Sequence, residues 1–439
     1  MAKSIAKRIF AAVISFTLTA VCFAGCGKDD NDGKSSAASD SAASAASTES
    51  SAEGTDPEPA ADELKAPVND GPIDVSQGAT ENMLIRSVFS EGDTARLAEK
   101  VKNAVDNPKE TTTIVYLGDS ITAGSAAGSS QNAYTKQFTK WWEDNISYYV
   151  QGINAGIGAT DSYLAVHRAE AEVFSNEPDI IFIEFINDQD NEFYKTTMDS
   201  LIRNCLAQPN NPAVVLIEMT MEDGTCPQNV HTEVAEAYGV PVISYHDAIL
   251  PEVEAGNIAW KDISPDNIHP NDQGHIMLGQ MLSNFVGNIK DNIDSYSTEY
   301  EPFDIDSESP TGYKYKNPIL ADKNSDKVTV TDEGGFTSAT TPWNFQDGWM
   351  AENGGSVTFE IEFQNLGMLY YKTTDGLSGT ASVTVDGVEI SEINADFTGG
   401  WGDYACNNEI VSFEETGKHT VTVSVPEGKK FELLRWMIS

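Results

Sequence analysis

Four short stretches of this sequence hold residue types that could act together on one polarised bond. Gly118-Asp119-Ser120 places a hydroxyl directly after a β-branched, apolar run. A serine at the carboxyl end of a strand projects from the sheet, and the glycine before it lets the chain turn sharply enough to aim the serine N–H into the same space. Asn154-Ala155-Gly156-Ile157-Gly158 follows the next extended run, and Gly156, with no side chain, can bring its N–H close to a ligand oxygen. Asn187-Asp188 lies just beyond the apolar run Ile180 to Phe185, where an amide N–H₂ can point to the same place. Asp266-Asn267-Ile268-His269 carries a base and the acid that would orient it on one segment: the imidazole takes a hydroxyl proton while the carboxylate holds its tautomer.

Each stretch alone has a plainer reading: a surface turn, a tight loop, a residue satisfying local backbone, a solvated histidine. A dinucleotide loop of the form G-x-G-x-x-G fits Gly156 and Gly158 but fails at Asp161, whose carboxylate would face a pyrophosphate. Among the other histidines, His275 reads as a helix-face residue, and His167, His231 and His246 as surface or satisfied structural groups. Trp141-Trp142 reads as helix packing. Cys205, Cys226 and Cys406 are sparse and odd in number, with no C-x-x-C and no Cys/His cluster, so neither a disulfide scaffold nor a structural zinc site is expected.

The elements that must position these groups alternate in type. Thr112 to Leu117, Ser147 to Gln151, Ile180 to Phe185, Ala213 to Met219 and Val240 to Ser244 read as strands. Between and around them, Gly92 to Asn107, Asn132 to Asp144, Thr160 to Phe174, Glu192 to Leu206, Asn229 to Tyr238 and Asn271 to Ile289 read as helices. Apolar strands alternating with amphipathic helices predict a parallel sheet covered on both faces, with a site at the carboxyl ends of the strands. After about Tyr296 the period changes to two, in Val328 to Val330, Ser356 to Phe363, Met368 to Tyr371, Ala381 to Val385 and His419 to Val425, with turns at Asp386-Gly387 and Glu427-Gly428. That pattern predicts an antiparallel β-sandwich or jelly roll, docked closely because no Ser/Gly linker precedes it.

The chain has 68 acidic and 27 basic residues, a formal net charge of -41, which excludes nucleic acid and anionic membrane surfaces as expected partners. Its first residues read as a targeting segment. Lys3, Lys7 and Arg8 precede an apolar run from Ile9 to Ala24 that ends in Phe23-Ala24-Gly25-Cys26. Small residues before a cysteine resemble a bacterial lipobox, which implies cleavage before Cys26 and lipidation of its thiol. From Gly27 the chain is Ser-, Ala- and acid-rich, the composition of a flexible tether. The expected organisation is a signal peptide over 1–25, a tether over 26–80, a catalytic domain over 81–295 and a β-domain over 296–439.

Taken in order, Ser120, Gly156, Asn187 and the Asp266/His269 pair resemble the four blocks of the SGNH (GDSL) hydrolase superfamily over about residues 85 to 290. One departure is visible: Phe185 stands where the third block usually has glycine. The variant E-F-x-N-D resembles a bacterial subgroup of sugar-acting esterases. The resemblance implies a flavodoxin-like three-layer α/β/α domain, Ser120 as nucleophile, His269 as base and Asp266 as its orienting acid. It implies an oxyanion hole from the N–H groups of Ser120 and Gly156 and the Asn187 amide, with no metal and no organic cofactor. The expected activity is removal of small acyl groups, chiefly acetyl, from extracellular or cell-surface carbohydrate by a lipid-anchored protein on the outer face of the membrane. A lipase or thioesterase is the second expectation, and a non-catalytic binding lipoprotein on a degenerate hydrolase fold is the third. Trp343, Trp349, Trp401 and Tyr404 could stack on sugar rings or form the β-domain core and its contact with the hydrolase.

Overall fold

The computed structural model describes residues 65–339 and 344–439. The signal segment, Cys26, most of the tether and Trp343 lie outside the described residues.

Six strands form the first sheet: β1 (Val88–Ser90), β2 (Thr112–Gly118), β3 (Val150–Gly156), β4 (Ile180–Glu184), β5 (Ala213–Glu218) and β6 (Val242–Ser244). Their spatial order is β1-β6-β5-β4-β2-β3. β2 to β6 pair in parallel, as the alternating pattern predicts, whereas the short edge strand β1 pairs antiparallel with β6. The helices are α1 (Glu81–Arg86), α2 (Ala95–Asp106), α3 (Ser120–Ala123), α4 (Tyr134–Asn145), α5 (Ser162–Glu172), α6 (Glu192–Leu206), α7 (Gln228–Tyr238), α8 (Tyr245–Glu254), α9 (Trp260–Ile263) and α10 (Asp272–Asp291). One apolar core, with Tyr116, Phe138, Trp142 and Phe182, joins α4 and α10 to the sheet. The other face is covered by α5 and α6. Every residue of β4 is buried, as expected for a central strand covered on both faces.

Residues 65–80 correct the expected tether boundary. They lie against the hydrolase domain: the Ile73 N–H donates to Asn257 O (2.9 Å), Asn69 Nδ2 to Glu252 Oε1 (2.7 Å), and the Ala79 N–H to Gln280 Oε1 (2.7 Å). Ile73, Val75 and Ala79 also pack against its core, too few apolar residues in one stretch for a hydrophobicity pattern to reveal.

The β-domain contains β7 (Ile319–Ala321), β8 (Val328–Asp332), β9 (Thr337–Ala339), β10 (Gly348–Ala351), β11 (Gly355–Lys372), β12 (Thr380–Val385), β13 (Val388–Asn394), β14 (Tyr404–Val425) and β15 (Phe431–Ile438). All nine belong to one antiparallel sheet. Two strands, β11 and β14, run its whole length, and their register shifts at Phe363/Asn365 and Leu366/Gly367. Such irregularities bend a sheet. The bend brings Phe359, on the first half of β11, against Trp436 of β15 (ring centroids 5.3 Å) and Trp349 of β10 (5.1 Å). The expected sandwich is therefore closed by strands shared between its two layers. Trp349 belongs to its core.

The two domains share a core. Helix α5 is buried from Ser162 to Ala169. Tyr163 on it packs in one apolar cluster with Leu369, Tyr371, Ala405, Leu434 and Met437 of the β-domain. The connecting segment is fastened to α6, where the Arg203 guanidinium donates to the carbonyls of Ile305, Ser307 and Glu308.

Candidate active site

Ser120 opens α3, immediately after β2 ends at Gly118. Its Oγ lies 2.8 Å from His269 Nε2, and His269 Nδ1 lies 2.8 Å from Asp266 Oδ2. These three groups, 149 residues apart at the extremes, thus form one hydrogen-bonded chain. The D-x-x-H spacing has a local cause. Asp266 Oδ1 accepts the N–H groups of Ile268 (2.9 Å) and His269 (2.7 Å), which curls the segment so that Oδ2 meets the ring. Ser264 Oγ lies 2.7 Å from the carbonyls of both Asp266 and His269 and shares its one hydrogen between them, and Trp260 Nε1 donates to Asp266 O (2.6 Å). Burial alone would raise the Asp266 carboxyl. The bonds from the His269 N–H, the His269 ring and the Ile268 N–H outweigh it and hold the group below the usual carboxylate range. The arrangement suits proton transfer from Ser120 to His269, with Asp266 as the fixed anion.

Asn187 and the glycine loop adjoin the Asp119–Ser120 turn. The Asn187 N–H donates to Asp119 Oδ2 (3.1 Å), and its Nδ2 donates to Thr160 O (3.0 Å), which leaves the second amide hydrogen. The Ser120 N–H stands in the first turn of α3, where amides have no intrahelical acceptor. Gly156 does not do what the sequence suggests. Its N–H donates to Asn154 Oδ1 (2.8 Å), so it is already engaged. Its missing side chain has another use: a Cβ there would lie 2.3 Å from the Ala123 backbone nitrogen, so glycine lets α3 pack on β3. The residue of this loop beside the serine is Gly158, where a Cβ would lie 3.7 Å from Ser120 Cβ. Ala159 follows in the left-handed region, at φ 61°.

Behind these loops lies a set of buried ionisable groups that sequence reasoning did not bring together. Glu184, at the end of β4, accepts the Thr122 N–H (3.2 Å) and hydroxyl (2.7 Å) on Oε2, and the Ile186 N–H (3.0 Å) on Oε1. Burial pushes its carboxyl up to about 7, against the pull of those bonds. Asp119 is raised well above its ordinary range by burial and by Glu184. His231, on α7, is buried with Nδ1 3.1 Å from Glu218 Oε1 and Nε2 3.1 Å from Asp188 Oδ2. A neutral imidazole can donate from only one nitrogen, so two carboxylates favour the imidazolium. Burial opposes that charge, but Glu218 and Asp188 prevail and push the group up to about 10. Asp188 Oδ1 also accepts the Ser162 N–H (2.9 Å), which fastens the start of α5. Arg168, also buried, donates to Gly118 O (2.9 Å) and Ala155 O (2.7 Å) and so ties the ends of β2 and β3 together.

The remaining candidates fall outside this group. His275 is buried, with Nδ1 accepting the Tyr134 N–H (3.4 Å) and Nε2 donating to Ser125 O (3.2 Å). His167 is buried against Tyr163 and Tyr315, and burial lowers it to about 4. Trp401 is 60% exposed and stacks with Tyr404 (centroids 4.9 Å, planes at 28°), an arrangement unlike the buried Trp349.

This fold and this arrangement of serine, histidine and aspartate define a serine ester hydrolase, and residues 116–276 match the GDSL-like lipase/acylhydrolase family. Ser120, Gly156, Asn187, Asp266 and His269 all fall within that span. No curated protein matches the chain. Among solved structures, it is similar to a two-domain esterase active on acetylated mannans, at 29% identity over 80% of this chain and 97% of that one, with a TM-score of 0.73. The same esterase co-crystallised with mannopentaose matches at 29% identity, 80% and 96% coverage and a TM-score of 0.73. An acetyl xylan esterase aligns at 20% identity over 39% of this chain and 97% of that one, with a TM-score of 0.33.

Proposed function

We propose that this protein removes acetyl groups from an acetylated polysaccharide of the mannan type through an acyl-enzyme formed on Ser120. The observation that carries the reading is the Ser120–His269–Asp266 hydrogen-bonded chain in a two-domain arrangement shared with an esterase active on acetylated mannans. His269 Nε2 takes the Ser120 proton as Oγ attacks the ester carbonyl. Asp266 stabilises the resulting imidazolium. The Ser120 N–H, the free Asn187 amide hydrogen and the backbone of the Gly158–Ala159 turn receive the developing oxyanion. His269 then protonates the departing sugar oxygen, which leaves as a hydroxyl. Water, deprotonated by His269, attacks the acetyl-serine, and collapse releases acetate and restores Ser120.

The stacked Trp401–Tyr404 pair, with Trp401 exposed and Tyr404 half-buried, supports a sugar substrate. A flat apolar face suits the C–H face of a pyranose ring. Tyr404 opens β14, the strand that also brings Asn407 to Asp161, next to the glycine loop. The lipobox-like Cys26 and acidic tether support anchoring on the outer membrane face. A Cys26→Ala change should then move the protein out of the membrane fraction or leave it uncleaved.

The decisive experiment compares acetate release from acetylated mannan, and turnover of aryl acetate, with turnover of long-chain aryl esters. Efficient acetate release with poor long-chain turnover is expected. The reverse order of preference would overturn the substrate assignment in favour of a lipase.

A further inference from the structure

One residue of the β-domain reaches the turn that adjoins Ser120. Asn407 lies on β14 opposite Leu369 of β11, and its Nδ2 donates to Asp161 Oδ1 at 2.9 Å. Asp161 is the N-cap of α5. Its Oδ1 also accepts the Leu164 N–H (2.9 Å), and its Oδ2 accepts the Tyr194 hydroxyl (3.2 Å). The three residues just before it, Gly158, Ala159 and Thr160, form the turn against Ser120, and Thr160 O fixes the Asn187 amide.

The other bonds that hold this stretch come from within the hydrolase domain: the Ile157 N–H to Gly118 O (3.1 Å), Asn187 to Thr160, and the Ser162 N–H to Asp188. Asp161 is an expensive group to hold. Burial and the neighbouring Asp188 carboxylate raise it to about 6, and Leu164, Asn407 and Tyr194 supply the opposing bonds. A carboxylate that loses one of three donors in such a place moves to find another, and its cap moves with it.

We propose that Asn407 is a positioning residue for ester hydrolysis: through this amide the β-domain fixes the turn that supplies an oxyanion donor. The proposal rests on the esterase reading above. It makes the β-domain a contributor to turnover of esters too small to touch it.

The test uses the full chain and an aryl acetate. Asn407→Ala should lower kcat about tenfold with KM nearly unchanged, less than the ~100-fold that a 1 Å misplacement of reacting groups can cost. Amide hydrogen exchange should quicken over residues 156–164. Tyr194→Phe removes another bond to the same carboxylate and should have a similar effect. The double variant should lose less than the product of the two, because both relax one cap. Lys314→Ala breaks the Lys314–Glu409 ion pair elsewhere in the same seam. It should lower the melting temperature while leaving kcat and that exchange unchanged. Wild-type kcat in Asn407→Ala, or an equal loss in Lys314→Ala, would overturn the proposal. A wild-type protein inert on aryl acetates would sink the esterase reading instead. The exchange measurement then decides alone, and unchanged exchange over 156–164 rejects the positioning role.

Discussion

The Asp266–His269 segment and the Gly156–Ser162 turn both meet Ser120, but they are held in different ways. The first is self-supporting: its own carboxylate accepts two of its own N–H groups and the ring, and Ser264 and Trp260 a few residues away complete it. The second is held from afar, by Asn187, Asp188, Tyr194 and, from the other domain, Asn407. Behind it, His231 and Glu218 fix Asp188. The self-supporting segment carries the moving proton. The remotely held turn carries groups that must not move while charge develops beside them, and rigidity of that kind takes many partners.

Substitutions can break this contrast. The largest effect belongs to the serine–histidine pair: Ser120→Ala and His269→Ala should each lower kcat by about 10⁶-fold with the fold intact, and Asp266→Asn by roughly 10²-fold less. Turnover of an aryl acetate, alongside circular dichroism, measures both parts. Next is Asn187→Ala, expected to cost about 10²–10³-fold in kcat, the usual loss for one oxyanion donor. Unchanged kcat in that variant would remove Asn187 from the site.

His231→Gln sharpens the contrast, because its main effect should be on stability. Removing one partner of a buried ionic group costs about 3–5 kcal/mol. Denaturant melts should show that loss, where Ser120→Ala shows little. The same clamp has a pH signature. His231 is raised from its ordinary 6.5 to about 10 in the folded state, so folding favours its protonated form. Its stabilisation is full below about 6.5 and is lost as the pH rises through about 10. Wild-type stability should therefore fall over that window more steeply than that of His231→Gln. The smallest effect is expected of Gly158→Ala, whose Cβ would make ordinary contact with Ser120 at 3.7 Å. It should fold normally and lose less than about tenfold in kcat.

The same contrast explains what was legible in the sequence. Asp266-x-x-His269 could be read because its geometry is a property of four consecutive residues. Ser120 and Asn187 could be read because strand ends are visible as the last residues of apolar runs. Gly156 was misassigned as a donor because the loop has two glycines, and Asn154 Oδ1, which engages one N–H, becomes relevant only in three dimensions. Glu184, Glu218, His231 and Arg168 carry no local pattern at all. Their partners lie on other strands and helices, so nothing in a window of residues marks them as buried. In the β-domain the period of two revealed the strands. It could not reveal that β11 and β14 each serve both layers, since a bend leaves alternation almost intact on either side.

The burial of α5 between the first sheet and the β-domain has a consequence for synthesis. Chains commonly fold from their N-terminal end, one domain at a time. Here the outer face of α5 is covered by Leu369, Tyr371, Ala405, Leu434 and Met437, all on strands that follow the hydrolase domain in the chain. The hydrolase half therefore cannot bury that face until β15 has been made. A nascent copy interrupted before β15 presents Tyr163 and its apolar neighbours to water. A chain that already contains Ser120, Asp266 and His269 therefore still exposes an apolar helix face that β11, β14 and β15 later cover.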